Sequence, residues 1–224
     1  MNLLNLVLPL YCARCGRVGS AMCEDCMAKT LREIENCCVV CGNYQAGWRC
    51  PECGADDTFA FGFLAQPIGE LAARLKLKSA RHLARPLARL LAEAMPEIGA
   101  GGRGGGGRIA IVPVPTAKSR ARERGLDHTR LVAQELARIT GGRMCIYLER
   151  KNDDLQRGKS KAERKKQSEK MFVAGVGIAN VVSFETVILY DDITTTGATL
   201  DECTRILREA GAKNVRRVVL AKTV

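Results

Sequence analysis

Three features predict an α/β protein with an open, mostly parallel sheet and flanking helices, plus a small cysteine-rich module at the N-terminus. Residues 186–200 combine a short apolar run, a turn and the start of a helical pattern. Leucines recur at helical spacing between Leu71 and Leu91. Nine of the eleven cysteines lie before residue 54. The apolar run, which does not alternate with polar residues, is typical of a strand buried on both faces of a parallel sheet.

Chain length and charge limit the possible architectures. The 224 residues suffice for one domain, or for a domain with a small added module. The formal net charge is +11, but residues 1–58 hold five basic and seven acidic side chains, so the remainder carries +13. The cysteine-rich part is therefore not the basic part. This argues against a non-specific DNA clamp there, because phosphate neutralisation dominates such binding.

The N-terminal sequence does not predict export or membrane insertion. Residues 3–10 are apolar, but the run is short, lacks a basic leader and continues directly into Cys12. We therefore expect a cytoplasmic protein without a transmembrane segment. In a reducing compartment, clustered cysteines bind metal more often than they form disulfides.

Eight of the cysteines form four C-x-x-C pairs. The pairs are Cys12/Cys15, Cys23/Cys26, Cys38/Cys41 and Cys50/Cys53. Each pair can place two thiolates on one zinc ion, and two pairs complete a tetrahedral site with no open position. The similar spacing in the two halves predicts two zinc ribbons in tandem, each with a structural zinc. Interleaved pairing, first with third and second with fourth, is the alternative. Cys37 is expected to bind no metal.

A change of domain is predicted near residue 59, where residues 59–64 alternate like a strand. The predicted boundaries are 1–58 for the double zinc ribbon and 59–224 for the α/β domain. Basic residues lie between the helical leucines, on what is either a solvated face or a surface for polyanions. Residues 99–108 are glycine-rich and predict a surface loop, without the G-K-[ST] ending of a P-loop.

Residues 109–115 (IAIVPVP) predict the first core strand, and residues 144–148 predict the second. Between them, a loop rich in arginine ends at Gly125 and precedes a helical pattern that includes Leu136. Backbone amides and guanidinium groups in such a loop can hold pyrophosphate. Residues 150–172 are polar almost throughout, which predicts either a mobile segment over a site or a disordered linker.

The segment 186–200 carries the clearest chemical signal. Its strand is predicted to end at Asp191 and Asp192, and a Thr/Gly turn then opens a helix. Ligands of open α/β sheets bind beyond the carboxyl ends of strands. The turn offers backbone N–H groups at a helix N-terminus, which suit a phosphate, while ionised carboxylates only accept hydrogen bonds. A 5-phosphoribose carries both a phosphate and vicinal hydroxyls. The alternative is a structural strand–turn–helix.

Three motifs resemble known families. VILYDDITTTGAT resembles the signature of type I phosphoribosyltransferases that binds 5-phosphoribosyl 1-pyrophosphate (PRPP). VPVP, followed by the Arg/Gly loop and LVAQELA, is similar to the VPVP…RGFNQ…LA motif of the ComF/GntX phosphoribosyltransferase-like family. That family also opens with an L-P…CxxC zinc module, like LPLYCARCG here. The resemblance runs from Leu8 to Ala221. It departs at Leu126, Asp127 and His128, where the family has Phe-Asn-Gln, so we do not carry over an acceptor preference. His128 is a candidate base or acceptor contact.

The resemblance implies a type I phosphoribosyltransferase fold with a flexible loop at about 153–170. It implies two structural zinc ions and Mg²⁺ as cofactors, and PRPP or a phosphoribosylated nucleotide as ligand. Because the family acts in DNA uptake in several bacteria, single-stranded DNA and a DNA-uptake helicase are candidate partners. Two rival functions are a non-catalytic PRPP-sensing module and a single-stranded-DNA-handling protein, the latter weakened by few aromatic side chains for base stacking.

The same resemblance assigns roles to residues. Asp191 and Asp192 would hold the ribose hydroxyls and, with Arg164 of the loop, form the catalytic set; Gln156 and Phe172 match further family positions. The residues implied for the 5′-phosphate are Thr194, Thr195, Thr196, Gly197, Ala198 and Thr199. Those implied for pyrophosphate are Lys76, Arg120 and Arg124.

Overall fold

The computed structural model describes the chain in four segments, residues 9–95, 108–117, 125–151 and 171–223. The strands of these segments are β1 (Thr58–Ala60), β2 (Ile109–Pro113), β3 (Arg143–Met144), β4 (Leu148–Arg150), β5 (Phe172–Ala174), β6 (Thr186–Thr194) and β7 (Asn214–Lys222). The α-helices are α1 (Glu24–Arg32), α2 (Pro67–Leu75), α3 (Ala84–Ala94), α4 (His128–Thr140) and α5 (Ala198–Glu209), with 3-10 helices at Lys78–Leu83 and Ile178–Ser183.

A five-stranded parallel sheet in the order β1-β7-β6-β2-β3 forms the centre of the fold. Along β6, Ile188 and Tyr190 belong to the core that α2, α3 and α4 cover. Val187 and Leu189 belong to the core on the other face, beneath α5. The sheet is therefore buried on both faces, which explains why its central strand is a continuous apolar run. The predicted fold class is confirmed.

The N-terminal residues pack against both faces of the domain. Cys26 and Met27 of α1 join the core of α3, and Glu24 pairs with Arg89 at 2.6 Å. Further along the chain, Cys37 exchanges two backbone hydrogen bonds with Ala60 of β1, at 2.9 and 3.0 Å. The predicted boundary at residues 58/59 lies within β1.

A core strand does begin where the second one was predicted, but the predicted bounds of 144–148 are wrong. β3 ends at Met144, and Cys145 makes one more bond to the sheet, its N–H donating to Ile111 O at 2.9 Å. The chain then leaves the sheet, and Tyr147 packs edge-on against Phe184. Leu148–Arg150 instead pairs antiparallel with Phe172–Ala174, as a separate two-stranded sheet. The apolar run thus spans two strands of different sheets.

The strand of residues 186–194 is longer than predicted. It continues through both acids to Thr194, because β7 runs beside it and pairs Asp191 with Val219 and Thr194 with Lys222. The first core strand ends at Pro113, two residues earlier than predicted. No helix in the described segments is both long and apolar enough to cross a membrane.

Candidate functional site

A cleft of about 200 Å³ lies at the carboxyl ends of β2 and β6. After β2 the chain crosses through α4 to β3, and after β6 it crosses through α5 to β7, on the opposite side. The two connections leave in opposite directions, so the space between β2 and β6 is the topological switch point of the sheet. This is where ligands bind in open α/β folds.

The two acids of β6 line this cleft. The Asp192 N–H donates to Asp191 Oδ1 at 2.8 Å, and the Ile193 N–H donates to Asp192 Oδ1 at 2.7 Å. Lys76 Nζ lies 3.3 Å from Asp192 Oδ2. Burial and the charge of Asp192 raise the pKa of Asp191 well above its ordinary value, and the Lys76 ammonium opposes this rise. The site therefore holds two close carboxylates, one of which binds a proton more tightly than a free aspartate.

The Thr/Gly turn follows the acids and begins α5. Gly197, the N-cap residue, has a left-handed backbone (φ +82°) that favours glycine. Thr195 and Thr196 are exposed, Thr199 lines the cleft, and Thr194 is buried at the end of β6. The turn thus offers hydroxyls and the N–H groups of a helix N-terminus next to the carboxylates, with the Ala198 N–H donating to Thr196 Oγ1 at 3.4 Å.

A second cavity of about 480 Å³ adjoins the cleft. The two share residues 114–116 and Arg150. Arg150 was not predicted as a site residue. Its guanidinium carbon lies 5.5 Å from the ring centroid of Phe172, its partner in the β4–β5 pair. In the sequence, Arg150 stands out only as the start of the polar segment. Its place at the cleft results from the pairing of β4 with β5, which joins residues distant in sequence.

The departure from the family motif lies at the start of α4. Asp127 is the N-cap residue: its Oδ1 accepts from the Arg130 N–H and from Thr116 Oγ1, both at 3.2 Å. Aspartate and asparagine cap helices about equally well, which explains why Asp127 can replace the family's Asn. His128 is buried and lines the cleft, beside the residues that follow β2.

Several predicted site residues lie outside the described segments. These are Arg120, Arg124, Gln156 and Arg164. The glycine-rich stretch at 99–107 and the predicted flexible loop at 153–170 lie outside them too. Of the predicted basic contacts, Lys76 is described, and it lies against Asp192.

The eight C-x-x-C cysteines form two clusters in sequential order, Cys12/Cys15/Cys23/Cys26 and Cys38/Cys41/Cys50/Cys53. Within each cluster the sulfur atoms lie within 4.8 Å of one another, and Cys41 and Cys50 are 3.5 Å apart. Zn–S bonds of about 2.3 Å in a tetrahedron place sulfurs about 3.8 Å apart, so both clusters could hold structural zinc. Cys37 lies outside both.

Glycines at the knuckles, which are the tight turns of the C-x-x-C pairs, and the thiol pKa values of Cys12 and Cys38 support metal binding, whereas burial and the neighbouring cysteines raise the pKa of Cys26 and of Cys41 to about 12. Gly16, Gly42 and Gly54 have positive φ angles, which closes each tight turn. Burial raises the pKa of Cys12 and of Cys38, but backbone N–H groups that donate to the sulfurs outweigh burial and lower the two values to about 6 and about 7. The first cysteine of each cluster is therefore ready to ionise, as a metal ligand must.

A family model described as the phosphoribosyl transferase domain matches residues 77–223. The chain belongs to this family. Within it, the chain is a ComF-type phosphoribosyltransferase-like protein, as its N-terminal cysteine module and its curated relatives agree. The predicted family is confirmed.

Two curated relatives match most of the chain. Competence protein F of Haemophilus influenzae is 27% identical over 225 residues, covering 95% of this chain and 84% of that protein. Competence protein ComFC of Streptococcus pneumoniae is 24% identical over 212 residues, covering 91% and 88%. Among solved structures, the glutamine PRPP amidotransferase of B. subtilis has a TM-score of 0.39 and 20% identity, over 66% of this chain and 30% of that one.

Proposed function

We propose that this phosphoribosyltransferase-family chain binds PRPP and transfers its phosphoribosyl group to a nitrogen nucleophile. The observation that carries the proposal is the cleft itself. Two carboxylates, a lysine ammonium 3.3 Å from one of them, and a Thr/Gly helix N-terminus lie at one switch point. Few ligands need hydroxyl acceptors and a phosphate cradle so close together, and PRPP is one of them.

Each part of PRPP has a candidate partner in the cleft. Asp191 and Asp192 would accept hydrogen bonds from the two ribose hydroxyls. The backbone N–H groups and hydroxyls of residues 194–199 would bind the 5′-phosphate. Lys76 would contact pyrophosphate. By resemblance, Arg120 and Arg124 would join it, and Arg164 would complete the site from the loop above.

The carboxylates also suit a divalent cation. Mg²⁺ prefers oxygen ligands, which Asp191 and Asp192 would offer beside the bound PRPP. When bound, Mg²⁺ would neutralise charge on the departing pyrophosphate. The zinc ions would be structural, because all four positions at each would be filled by thiolates.

In the proposed reaction the bond from ribose C1 to the pyrophosphate oxygen breaks, and its electron pair leaves with pyrophosphate. A nitrogen atom of the acceptor forms the new bond to C1 and loses a proton. No residue becomes covalently attached to the sugar. The protein would contribute position and electrostatic stabilisation of the separating charges. The adjoining 480 Å³ cavity, which shares Arg150 with the cleft, has room for an acceptor.

We also propose that residues 1–58 act as a double zinc ribbon on the transferase-like domain of residues 59–224. A second candidate function is the handling of single-stranded DNA during uptake, with a DNA-uptake helicase as partner. The +13 charge outside the ribbon favours it. A third is PRPP sensing without turnover, in which the same cleft binds but no acceptor enters.

Titrating two ligands against two arginine variants separates the transferase from the DNA handler. We expect Arg124→Ala to weaken PRPP binding by about 10-fold or more, because a charge-assisted contact to pyrophosphate is lost. The control is Arg81→Ala, which removes an exposed arginine far along the chain from the loop. It should leave PRPP unchanged.

DNA binding is measured with the same two variants, at two salt concentrations. Each lost phosphate contact should reduce DNA affinity modestly and flatten its salt dependence by about one unit of slope. We expect this at Arg81, with little change at Arg124. If Arg124→Ala and Arg81→Ala behave alike toward both ligands, no dedicated pyrophosphate loop exists and the transferase proposal is wrong.

A further inference from the structure

Lys222, the last residue of β7, is a buried cation beneath the Thr/Gly turn. The residue is 7% exposed. The ammonium donates to the Val39 carbonyl at 3.0 Å and to the Thr195 carbonyl at 2.5 Å. Within the described segments, no carboxylate forms an ion pair with it. Burying a charge is costly unless polar groups or an opposite charge compensate it, so the position calls for an explanation.

The main chain fixes Lys222 from both sides. Its N–H donates to Gly62 O, and its carbonyl accepts from the Leu64 N–H, both at 2.9 Å. On the other side it pairs in register with Thr194 of β6. The side chain therefore starts from a rigid point directly beside the turn.

Toward the second cysteine cluster, a single peptide group links Lys222 to a thiol. The Val39 carbonyl accepts from Lys222, and the Val40 N–H of the same peptide donates to Cys38 Sγ at 3.3 Å. The aliphatic part of Lys222 also packs against the turn of the Cys38/Cys41 pair, since a Cβ at Gly42 would lie 3.3 Å from Lys222 Cε. The ammonium is thus one peptide away from a candidate zinc ligand.

Toward the turn, Lys222 holds one carbonyl of the candidate phosphate site. The described chain contains no cis peptide, and in a trans peptide the C=O and N–H point in opposite directions. With the Thr195 carbonyl bound to Lys222, the Thr196 N–H points away from Lys222, and Thr196 itself is exposed. The turn also rests on the knuckle, because a Cβ at Gly197 would lie 3.2 Å from Val39 Cγ1.

We propose that Lys222 is a positioning residue that couples the second cysteine cluster to the phosphate turn. It fixes the Thr195–Thr196 peptide so that the Thr196 N–H faces a ligand phosphate. A bound phosphate would also add negative charge near the buried ammonium. Zinc at the second cluster would hold Cys38, and through the Val39–Val40 peptide it would hold Lys222. This inference rests on the proposed function, because it assumes that the turn binds a phosphate.

The first test compares Lys222→Met with Lys213→Met in the full zinc-loaded chain. Both changes remove one positive charge, but Lys213 is exposed and lies just before β7. By calorimetry, we expect Lys222→Met to weaken ribose 5-phosphate by about 10-fold or more while pyrophosphate stays within about 2-fold. Lys213→Met should change neither. A purely structural role for Lys222 would weaken both ligands together.

The second test needs no ligand. Hydrogen exchange of the amides at 195–199 should become faster in Lys222→Met than in the wild type. Cys41→Ser and Cys15→Ser then compare equivalent, exposed ligand positions of the two clusters. We expect Cys41→Ser to speed exchange in the turn and Cys15→Ser to leave it unchanged, with zinc content measured in both.

The outcomes separate the two proposals. If the wild type binds neither ribose 5-phosphate nor PRPP, the proposed function is wrong, and the exchange experiment still decides whether the cluster and the turn are coupled. If the wild type binds but Lys222→Met weakens both ligands equally, Lys222 is not a positioning residue. Equal turn exchange in Cys41→Ser and Cys15→Ser would remove the link to the second cluster.

Discussion

We expect PRPP with Mg²⁺ to raise the melting temperature of the wild type, and we expect the double change Asp191→Asn with Asp192→Asn to abolish this rise. A ligand at about 100 times its Kd stabilises the native state by about 2.7 kcal/mol. In a chain of this size that is about 5–11 °C. Asparagine keeps the shape of the site but removes the charge that attracts Mg²⁺ and the acceptor strength that the ribose hydroxyls require. Differential scanning fluorimetry with and without PRPP·Mg measures the effect.

The unligated double variant should be folded and more stable than the wild type at pH 7. Burial and the neighbouring charge raise the pKa of Asp191 in the native state above its ordinary 3.8. The native state therefore binds the Asp191 proton more tightly than the unfolded state does. As a result, the free energy of unfolding of the wild type falls as the pH rises from 3.8 through the raised pKa. The difference in stability between the double variant and the wild type should therefore become smaller as the pH is lowered toward 3.8.

The matched control is Asp56→Asn, an exposed acid outside the cleft. It should respond to PRPP as the wild type does. If the double variant still shows the full PRPP shift, the ligand binds elsewhere and the assignment of the cleft is wrong. If the double variant is unfolded without ligand, the melting temperatures of the two single variants, with and without PRPP, are measured instead.

Cys38→Ser is expected to reduce the zinc content from about two ions per chain to about one and to lower the melting temperature by about 10 °C or more. Binding of a structural zinc contributes on the order of 10 kcal/mol to folding, and removal of one thiolate loses much of it. Cys37→Ser is the control, because Cys37 is equally buried, at 1% against 0% exposure, but lies outside both clusters. It should keep both zinc ions.

Metal analysis by mass spectrometry and melting by fluorimetry check this pair. Equal losses from Cys37→Ser and Cys38→Ser would show that the ligand assignment is wrong. A wild type that contains one zinc ion or none would contradict the double ribbon directly.

Local sequence patterns predicted much of the fold. The apolar run at Val187–Tyr190 predicted the central strand because a strand buried on both faces must be apolar throughout. The regular C-x-x-C spacing predicted two tandem clusters, and the structure favours sequential over interleaved grouping. In both cases the predictive signal lies within a short stretch of sequence.

Long-range pairing explains what was missed. Residues 144–148 look like one strand, but Leu148 pairs with Ala174, and only the tertiary fold determines that partner. The place of Arg150 in the cleft depends on the same pairing. Lys222 was missed because its two acceptors, Val39 and Thr195, are 183 and 27 residues away in sequence. No local pattern marks a lysine whose partners are distant carbonyls.

The most direct measurement is a crystal structure of the full chain with PRPP and Mg²⁺. We expect the ribose hydroxyls to lie within hydrogen-bond distance of Asp191 and Asp192, and the 5′-phosphate to contact the backbone N–H groups of residues 195–199. Density for PRPP at another place on the protein, or a 5′-phosphate that does not touch this turn, would contradict the proposed site.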